Sequence, residues 1–258
     1  MPYALLWIDE GLYNLLLLLW IGGAVFTFIL LFFISAPYGK LKRKGWGIYL
    51  ESRLAWVLME AVSWLGMLLL FALGRYKGLI PIIFTSLWTI HYTYRAFIFP
   101  GLKTAGSAPM PAVIMFLGMA FNLGNVFFNG YYLFFLAEDY PLSWLSDLRF
   151  WLGLIIFGAG LYINITSDAI LRRLRSPEDR SYKIPRGGLF RFISCPNYLG
   201  EILEWTGWAL ATWSCAGLSF MLWTIANLAP RALSYHAWYQ KTFPDYPKER
   251  KALIPFFL

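Results

Sequence analysis

Residues 12–34 read LYNLLLLLWIGGAVFTFILLFFI, twenty-three positions with no acidic or basic side chain. A hydrocarbon core about 30 Å thick needs roughly 20 such residues in helical form. A helix on the surface of a soluble domain would keep a charged face, and this one has none. Lipid offers no partner to backbone N–H and C=O groups, so a stretch that crosses it must bond them internally, as a helix. Working outward, four more runs read alike: Leu54–Leu73, Leu79–Phe99, Pro111–Leu136 and Phe150–Leu171. A sixth is expected from Asn197 to Ser214 and a seventh from Leu218 to Tyr239, with only Ser214-Cys215-Ala216-Gly217 to divide them. The expected fold is all-α: one polytopic domain over residues 1–258, with seven transmembrane helices.

The rest of the composition agrees. Of 258 residues, 59% are hydrophobic and only 14% charged, where soluble domains carry about 25%. The net charge of +8 is gathered in short connections. Lys40, Lys42, Arg43, Lys44 and Arg53 follow the first run, and Arg172, Arg173, Arg175, Arg180, Lys183, Arg186 and Arg191 precede the sixth. Lys241, Lys248, Arg250 and Lys251 follow the seventh. The alternate connections carry Asp9, Glu10, Glu138, Asp139 and Asp147, with Arg75, Lys77 and Arg149 as their main cations. Basic loops stay in the cytosol, which places the N-terminus outside and the C-terminus inside. This placement explains the charge without nucleic acid as a partner. The membrane is the bacterial cytoplasmic membrane or, in a eukaryote, the endoplasmic reticulum. Two cysteines, Cys195 and Cys215, imply no disulfide framework. The opening MPYALLWIDEG is acidic, unlike a signal peptide.

Ionisable groups inside spans cost about 2.5–3.5 kcal/mol each and mark function by default. Glu60 sits in WVLMEAVSW and His91, Tyr92 and Arg95 in TIHYTYRAF. Asn164, Asp168 and Arg175 share one helical face, as do Asn197, Glu201 and Glu204, and Arg231, Tyr235 and Tyr239. A structural Glu60–Arg95 pair, or interfacial faces of snorkelling arginine and belt tyrosine, would account for any one of these. All lie in the cytosolic half, however, and together they describe a cavity open to the cytosol. Its cations suit phosphates, and its amides and carboxylates suit ribose hydroxyls or a carboxamide. A dinucleotide fits that mixture, although neither G-x-G-x-x-G nor a Walker loop is present and Gly187-Gly188 alone is weak. A metal is not expected, because His91 and His236 are the only histidines and no Cys/His cluster joins them.

At these residues the chain resembles the steroid 5α-reductases, the 3-oxo-5α-steroid 4-dehydrogenases, in a bacterial or otherwise non-animal form. The matching stretches are INITSDAILRRLR, SYKIPRGGLFRFISCPNYLGEILEWTGWALATWS and KTFPDYPKERKALIPFFL, with PYGK, LMEAVSW, IHYTYRAF and GNVFFNGYYL before them. The resemblance implies a seven-helix bundle that holds NADPH on its cytosolic side, a lipophilic steroid-like substrate and a monomer. Residues 1–110 would form the substrate side with the catalytic pair, and residues 111–258 the cofactor side. By resemblance Glu60 and Tyr92 are catalytic and hold the substrate's ketone oxygen. Arg95, Asn125, Asn164, Asp168, Arg175, Tyr182, Lys183, Asn197, Glu201, Arg231, Tyr235 and Tyr239 take cofactor positions, and Tyr38, Trp56 and Phe121 line the steroid pocket. Three departures stand out: Met59 where animal members commonly have Gln, Lys183 where Arg is common, and Ser234-Tyr235 in place of part of a histidine cluster.

The implied reaction adds hydride to the β-carbon of a conjugated enone while Tyr92 and an un-ionised Glu60 donate hydrogen bonds to the oxygen. Alternatives are reduction of another enone lipid (a sterol, polyprenol or enoyl lipid), which Met59 leaves open, and an S-adenosylmethionine methyltransferase, which shares NYLGE-like segments. A retinal receptor would need a lysine within the last span, and a transporter would need a polar path through both leaflets.

Overall fold

The computed structural model describes residues 8–35, 39–41, 45–103, 108–137, 140–174, 179 and 181–258. Tyr38 and Arg175, both expected at the site, lie outside the described residues. Seven main helices run through the described residues. Helix α1 spans Glu10–Phe33 and starts where the Asp9 carboxylate accepts from the Leu12 N–H. Helix α2 spans Ser52–Leu73, capped in the same way by Glu51. Helix α3 spans Leu79–Thr93 and continues through a π-helical stretch, Tyr94–Ile98, into a last turn, Phe99–Gly101. Helix α4 spans Ala112–Tyr131 and also widens, at Tyr132–Leu136, into a π stretch. Helices α5 (Leu148–Arg173), α6 (Pro196–Thr212) and α7 (Cys215–Thr242) complete the bundle. One short ladder pairs β1 (Tyr49–Leu50) antiparallel with β2 (Met110–Pro111), with Tyr49 opposite Pro111.

Four of these helices are long and apolar enough to cross a membrane: α1, α2, α4 with its π stretch, and α5. The other three fall short for visible reasons. The regular part of α3 is 15 residues and α6 is 17. Helix α7 has 28 residues, but Pro230, Arg231, His236 and Lys241 crowd its second half. The break between the last two helices also differs from expectation. Helix α6 ends at Thr212, before Ser214, and α7 begins at Cys215, before Leu218. Trp213 turns the chain with a left-handed backbone (φ 45°), and the Ser214 hydroxyl then accepts from the Gly217 N–H at 2.9 Å. Serine is a strong N-cap, and it starts the helix while the hydropathy pattern is still ambiguous.

Two contacts position the polar site. Gly153 and Gly160 of α5 meet Gly207 and Gly200 of α6, backbone to backbone. A Cβ on Gly160 would stand 2.3 Å from the Glu204 nitrogen, and one on Gly207 2.3 Å from the Phe157 nitrogen. Small residues let membrane helices approach this closely, and here they bring Asn164 and Asp168 of α5 up against Asn197 and Glu201 of α6. Behind them lies an aromatic core of Phe84, Trp88, Phe157, Trp205 and Trp208, all buried. Two of its indole N–H groups find partners: Trp88 donates to the Ser63 carbonyl at 3.1 Å and Trp208 to Asn129 Oδ1 at 2.8 Å.

Candidate active site

The polar centre is built around Arg95, in the π stretch that follows α3. Its guanidinium lies 4.0 Å from Glu60 Oε1, 3.8 Å from Asp168 Oδ2 and 4.0 Å from Glu201 Oε2. One cation thus faces carboxylates from α2, α5 and α6, so the simple Glu60–Arg95 pair is only one side of a larger cluster. The Arg95 guanidinium also lies 5.0 Å from the centre of the Trp56 ring and 5.1 Å from that of Phe99, within cation–π range. Lys103 approaches Trp56 to 4.3 Å. Burial and the nearby Arg95 charge push its ammonium down to about 8.

Glu60 and Tyr92 are joined by a residue that sequence reading passed over. Asn122 of α4 donates to Glu60 Oε2 at 3.4 Å and to the Met59 carbonyl at 2.7 Å, while the Tyr92 hydroxyl lies 3.5 Å from Asn122 Oδ1. The Met59 side chain packs against the bare Cα of Gly118. Phe121 stacks with Trp20, ring centres 5.8 Å apart, and meets Trp223. Deeper, His91 Nδ1 bonds Glu204 Oε1 at 2.8 Å, and the imidazole packs edge-on against Tyr92.

Asn197 donates to Asp168 Oδ1 at 3.2 Å, and Asn164 donates to the Asn197 carbonyl at 3.0 Å and to Glu201 at 3.4 Å. Among the described residues, Asn164 Oδ1 here and Asn125 Nδ2 on α4 are buried without a hydrogen bond, and Asp168 Oδ2 has only the Arg95 guanidinium, 3.8 Å away, as a partner. A buried polar group left unpaired costs about 1–3 kcal/mol. One amide donor, one amide acceptor and one carboxylate acceptor suit the carboxamide and hydroxyls of a nucleotide cofactor.

Beside Asn197, Tyr198 leads to a second cluster. Arg231 donates to the Tyr198 hydroxyl at 3.0 Å and to the Tyr235 hydroxyl at 2.8 Å. Lys40 bonds the Tyr239 hydroxyl and lies near the rings of Tyr235, Trp238 and Tyr182. Gly39 permits this approach. Its φ is +64°, and a Cβ there would stand 2.8 Å from the Tyr235 hydroxyl. Lys183 is exposed, 2.7 Å from Asp179. Lys183 and the Ser181 hydroxyl hold that carboxyl well below the usual carboxylate range. The structure therefore gathers Glu60, Tyr92, Arg95, Asn164, Asp168, Asn197 and Glu201 in one region, and Tyr182, Arg231, Tyr235 and Tyr239 in another that adjoins it at Asn197-Tyr198. Sequence reading missed Asn122, Lys40 and Tyr198. Asn122 could have been found, since it lies one turn before Asn125 on an apolar span.

Known proteins are similar to this chain over most of its length. A family model described as 3-oxo-5-alpha-steroid 4-dehydrogenase matches residues 108–258. The steroid 5-alpha-reductase DET2 of Gossypium hirsutum is 40% identical over 253 residues, covering 96% of this chain and 98% of its own. That of Arabidopsis thaliana is 43% identical over 232 residues, 87% of this chain and 88% of its own. The human 3-oxo-5-alpha-steroid 4-dehydrogenase 2 is 45% identical over 210 residues, 80% of this chain and 81% of its own. On these matches the chain belongs to the 3-oxo-5-alpha-steroid 4-dehydrogenase family.

Proposed function

We propose that this chain is an NADPH-dependent reductase that saturates the Δ4 double bond of a 3-oxo-Δ4-steroid. The observation that carries the reading is the link from Glu60 through Asn122 to Tyr92, which sets an acid and a phenol side by side. Asn164 Oδ1 and Asp168 Oδ2, both buried without a hydrogen bond, stand in the polar centre beyond them, and Asn125 lies one turn after Asn122. Tyr92 and Glu60, as an un-ionised acid, donate hydrogen bonds to the C3 ketone oxygen and stabilise the negative charge that builds there. Asn122 orients both donors. Arg95, Asn125, Asn164, Asp168, Asn197 and Glu201 would hold the nicotinamide and its ribose, with Arg175, Tyr182, Lys183, Arg231, Tyr235 and Tyr239 toward the phosphates and adenosine. Bound NADPH supplies hydride to C5. The C4 proton comes from water, and the apolar bundle keeps other water away from the enone. Trp56, Phe121 and Tyr38 would wall the steroid.

The same reading takes the protein as seven spans with the C-terminus in the cytosol, residues 1–110 serving substrate and 111–258 serving cofactor, active as a monomer. Support for the three spans with weaker apolar character is the loop charge: Arg172, Lys183, Arg191 and Lys248 fall on one side and Asp9 and Asp147 on the other.

The test is NADPH oxidation with testosterone or progesterone, with product identification. Wild type should yield the 5α-reduced ketone. Glu60→Gln should keep much of the turnover, whereas Glu60→Ala and Tyr92→Phe should lose most of it and still bind NADPH. Unchanged turnover in both of the latter would overturn the roles assigned. Reduction of a different enone lipid alone would move the substrate to the class that Met59 leaves open.

A further inference from the structure

The last six residues, LIPFFL, form a closed loop with an unusual surface. The Leu253 and Ile254 N–H groups donate to the Leu258 carbonyl at 2.6 and 2.7 Å, and the Leu258 N–H donates back to Ile254 at 3.1 Å. Phe256 takes a left-handed backbone, φ +68°, a conformation that is an outlier for a bulky residue. The closed, strained turn directs apolar rings outward: Phe256 is 77% exposed and Phe257 86%. Ile254 and Phe192 are exposed beside them, and Phe192 packs against Phe256 at 5.7 Å. Presenting such a patch to water is unfavourable, and contiguous apolar patches mark contact surfaces.

Two observations say what covers it. The first is depth. The stretch before the loop is pinned along residues 192–195, where Ser194 donates to the Lys251 carbonyl at 2.8 Å and Cys195 to that of Ala252 at 3.1 Å. Ala252 and Leu253 then cluster with Ala229, Ala232 and Leu233 of α7, Leu199 and Ile202 of α6, and Phe28 of α1. Ala232 stands ten residues before the end of α7 at Thr242, about 15 Å along the axis at the helical rise. The loop therefore lies alongside the helices and not above their ends. The second is charge. Arg191 and Lys251, both exposed, flank the patch, with no acidic residue in 250–258. Basic side chains beside apolar rings suit an interface of anionic headgroups over acyl chains.

We propose that residues 253–258 are a wedge inserted into the cytosolic leaflet, with Ile254, Phe256 and Phe257 among the upper acyl chains and Arg191 and Lys251 at phosphate level. The wedge rests on the membrane-spanning reading above and is independent of the reductase chemistry. Its anchor is shared with the site, because Ser194 also bonds His236 Nδ1 and the Tyr246 hydroxyl, both at 2.6 Å, and Tyr246 stacks on Tyr239.

The full chain with Cys195→Ala and Cys215→Ser, reconstituted in phosphatidylcholine–phosphatidylserine vesicles, tests this. A nitrobenzoxadiazole label is placed at Phe257→Cys, at Lys248→Cys on the exposed loop, or at Ile29→Cys on the exposed face of α1. The Phe257 label should be quenched at least twofold more than the Lys248 label by a lipid carrying a nitroxide high on its acyl chain. It should also be shielded from aqueous iodide. Iodide access equal to that at Lys248, with Ile29 still quenched by lipid, would overturn the wedge and leave the membrane crossing intact. Shielding of the Phe257 label from both quenchers would mean that protein covers the patch, as in a second copy, and would also overturn it. Loss of lipid quenching at Ile29 would overturn the membrane crossing itself.

Discussion

Arg95 shows what a single residue does in this bundle. Three carboxylates converge on it, from three helices, at 3.8–4.0 Å. None of those distances is a close hydrogen-bonded pair, so the guanidinium balances the group collectively and leaves each acid able to take another partner. Arg95→Met should leave the Asp168 and Glu201 carboxylates without their shared guanidinium, at a cost of about 3–5 kcal/mol by analogy with broken buried pairs. The check is thermal unfolding in detergent, where a fall of several degrees is expected and an unchanged midpoint would contradict the account. Arg95→Lys should be milder in stability yet weaken NADPH binding, because an ammonium is a point charge without the planar fork. The residues most legible in the sequence were of this kind: charges in an apolar setting, where each one requires a reason. Asn122 was legible only as a neutral amide near Asn125, a weaker anomaly than a charge, and its partners come from helices distant in sequence.

At the scale of helices, the α5–α6 seam sets the precision of the site. Gly153, Gly160, Gly200 and Gly207 recur at intervals of seven on each helix, which was visible in the sequence, but nothing in hydropathy marks a glycine as a contact. The prediction contrasts two neighbours. Gly160→Ala places a methyl 2.3 Å from the Glu204 nitrogen and should destabilise by about 2 kcal/mol or more, in the range of overpacking. It should weaken NADPH binding as well, by displacing Asn164 from Glu201. Gly158 faces open space, and Gly158→Ala should be neutral or slightly stabilising, since alanine gains up to about 1 kcal/mol in a helix. Equal midpoints for the two variants would remove the seam from the account. Helix ends were the least legible feature, as at Trp213-Ser214, where one left-handed residue and one cap decide what the apolar pattern leaves open.

For the molecule as a whole, the sequence led to a mainly helical class with seven main helices, because the length of an apolar run is set by the bilayer. Four helices are long and apolar enough to cross unaided, and of the other three, two are short and the last carries Pro230, Arg231, His236 and Lys241 in its second half. Sidedness is the prediction at this scale. In sealed inside-out vesicles of the Cys195→Ala, Cys215→Ser chain, a membrane-impermeant maleimide should label Lys183→Cys and Lys248→Cys but not Leu142→Cys; the reverse pattern would invert the topology. The π stretches at Tyr94–Ile98 and Tyr132–Leu136 have a further bearing. Each closes with a backbone bond five residues back, from Phe99 to Tyr94 and from Ala137 to Tyr132. A turn of that kind is what an α-helix becomes when it absorbs one inserted residue, and such turns gather at functional sites. Deleting one residue from 96–98 should therefore be absorbed by a return to ordinary winding. Tyr92 and Phe99 would both keep their places, while the residues between them, Arg95 among them, would shift. In evolutionary terms the third helix is a place where length can change by one without loss of the fold, and where such a change would reshape the pocket in a single step.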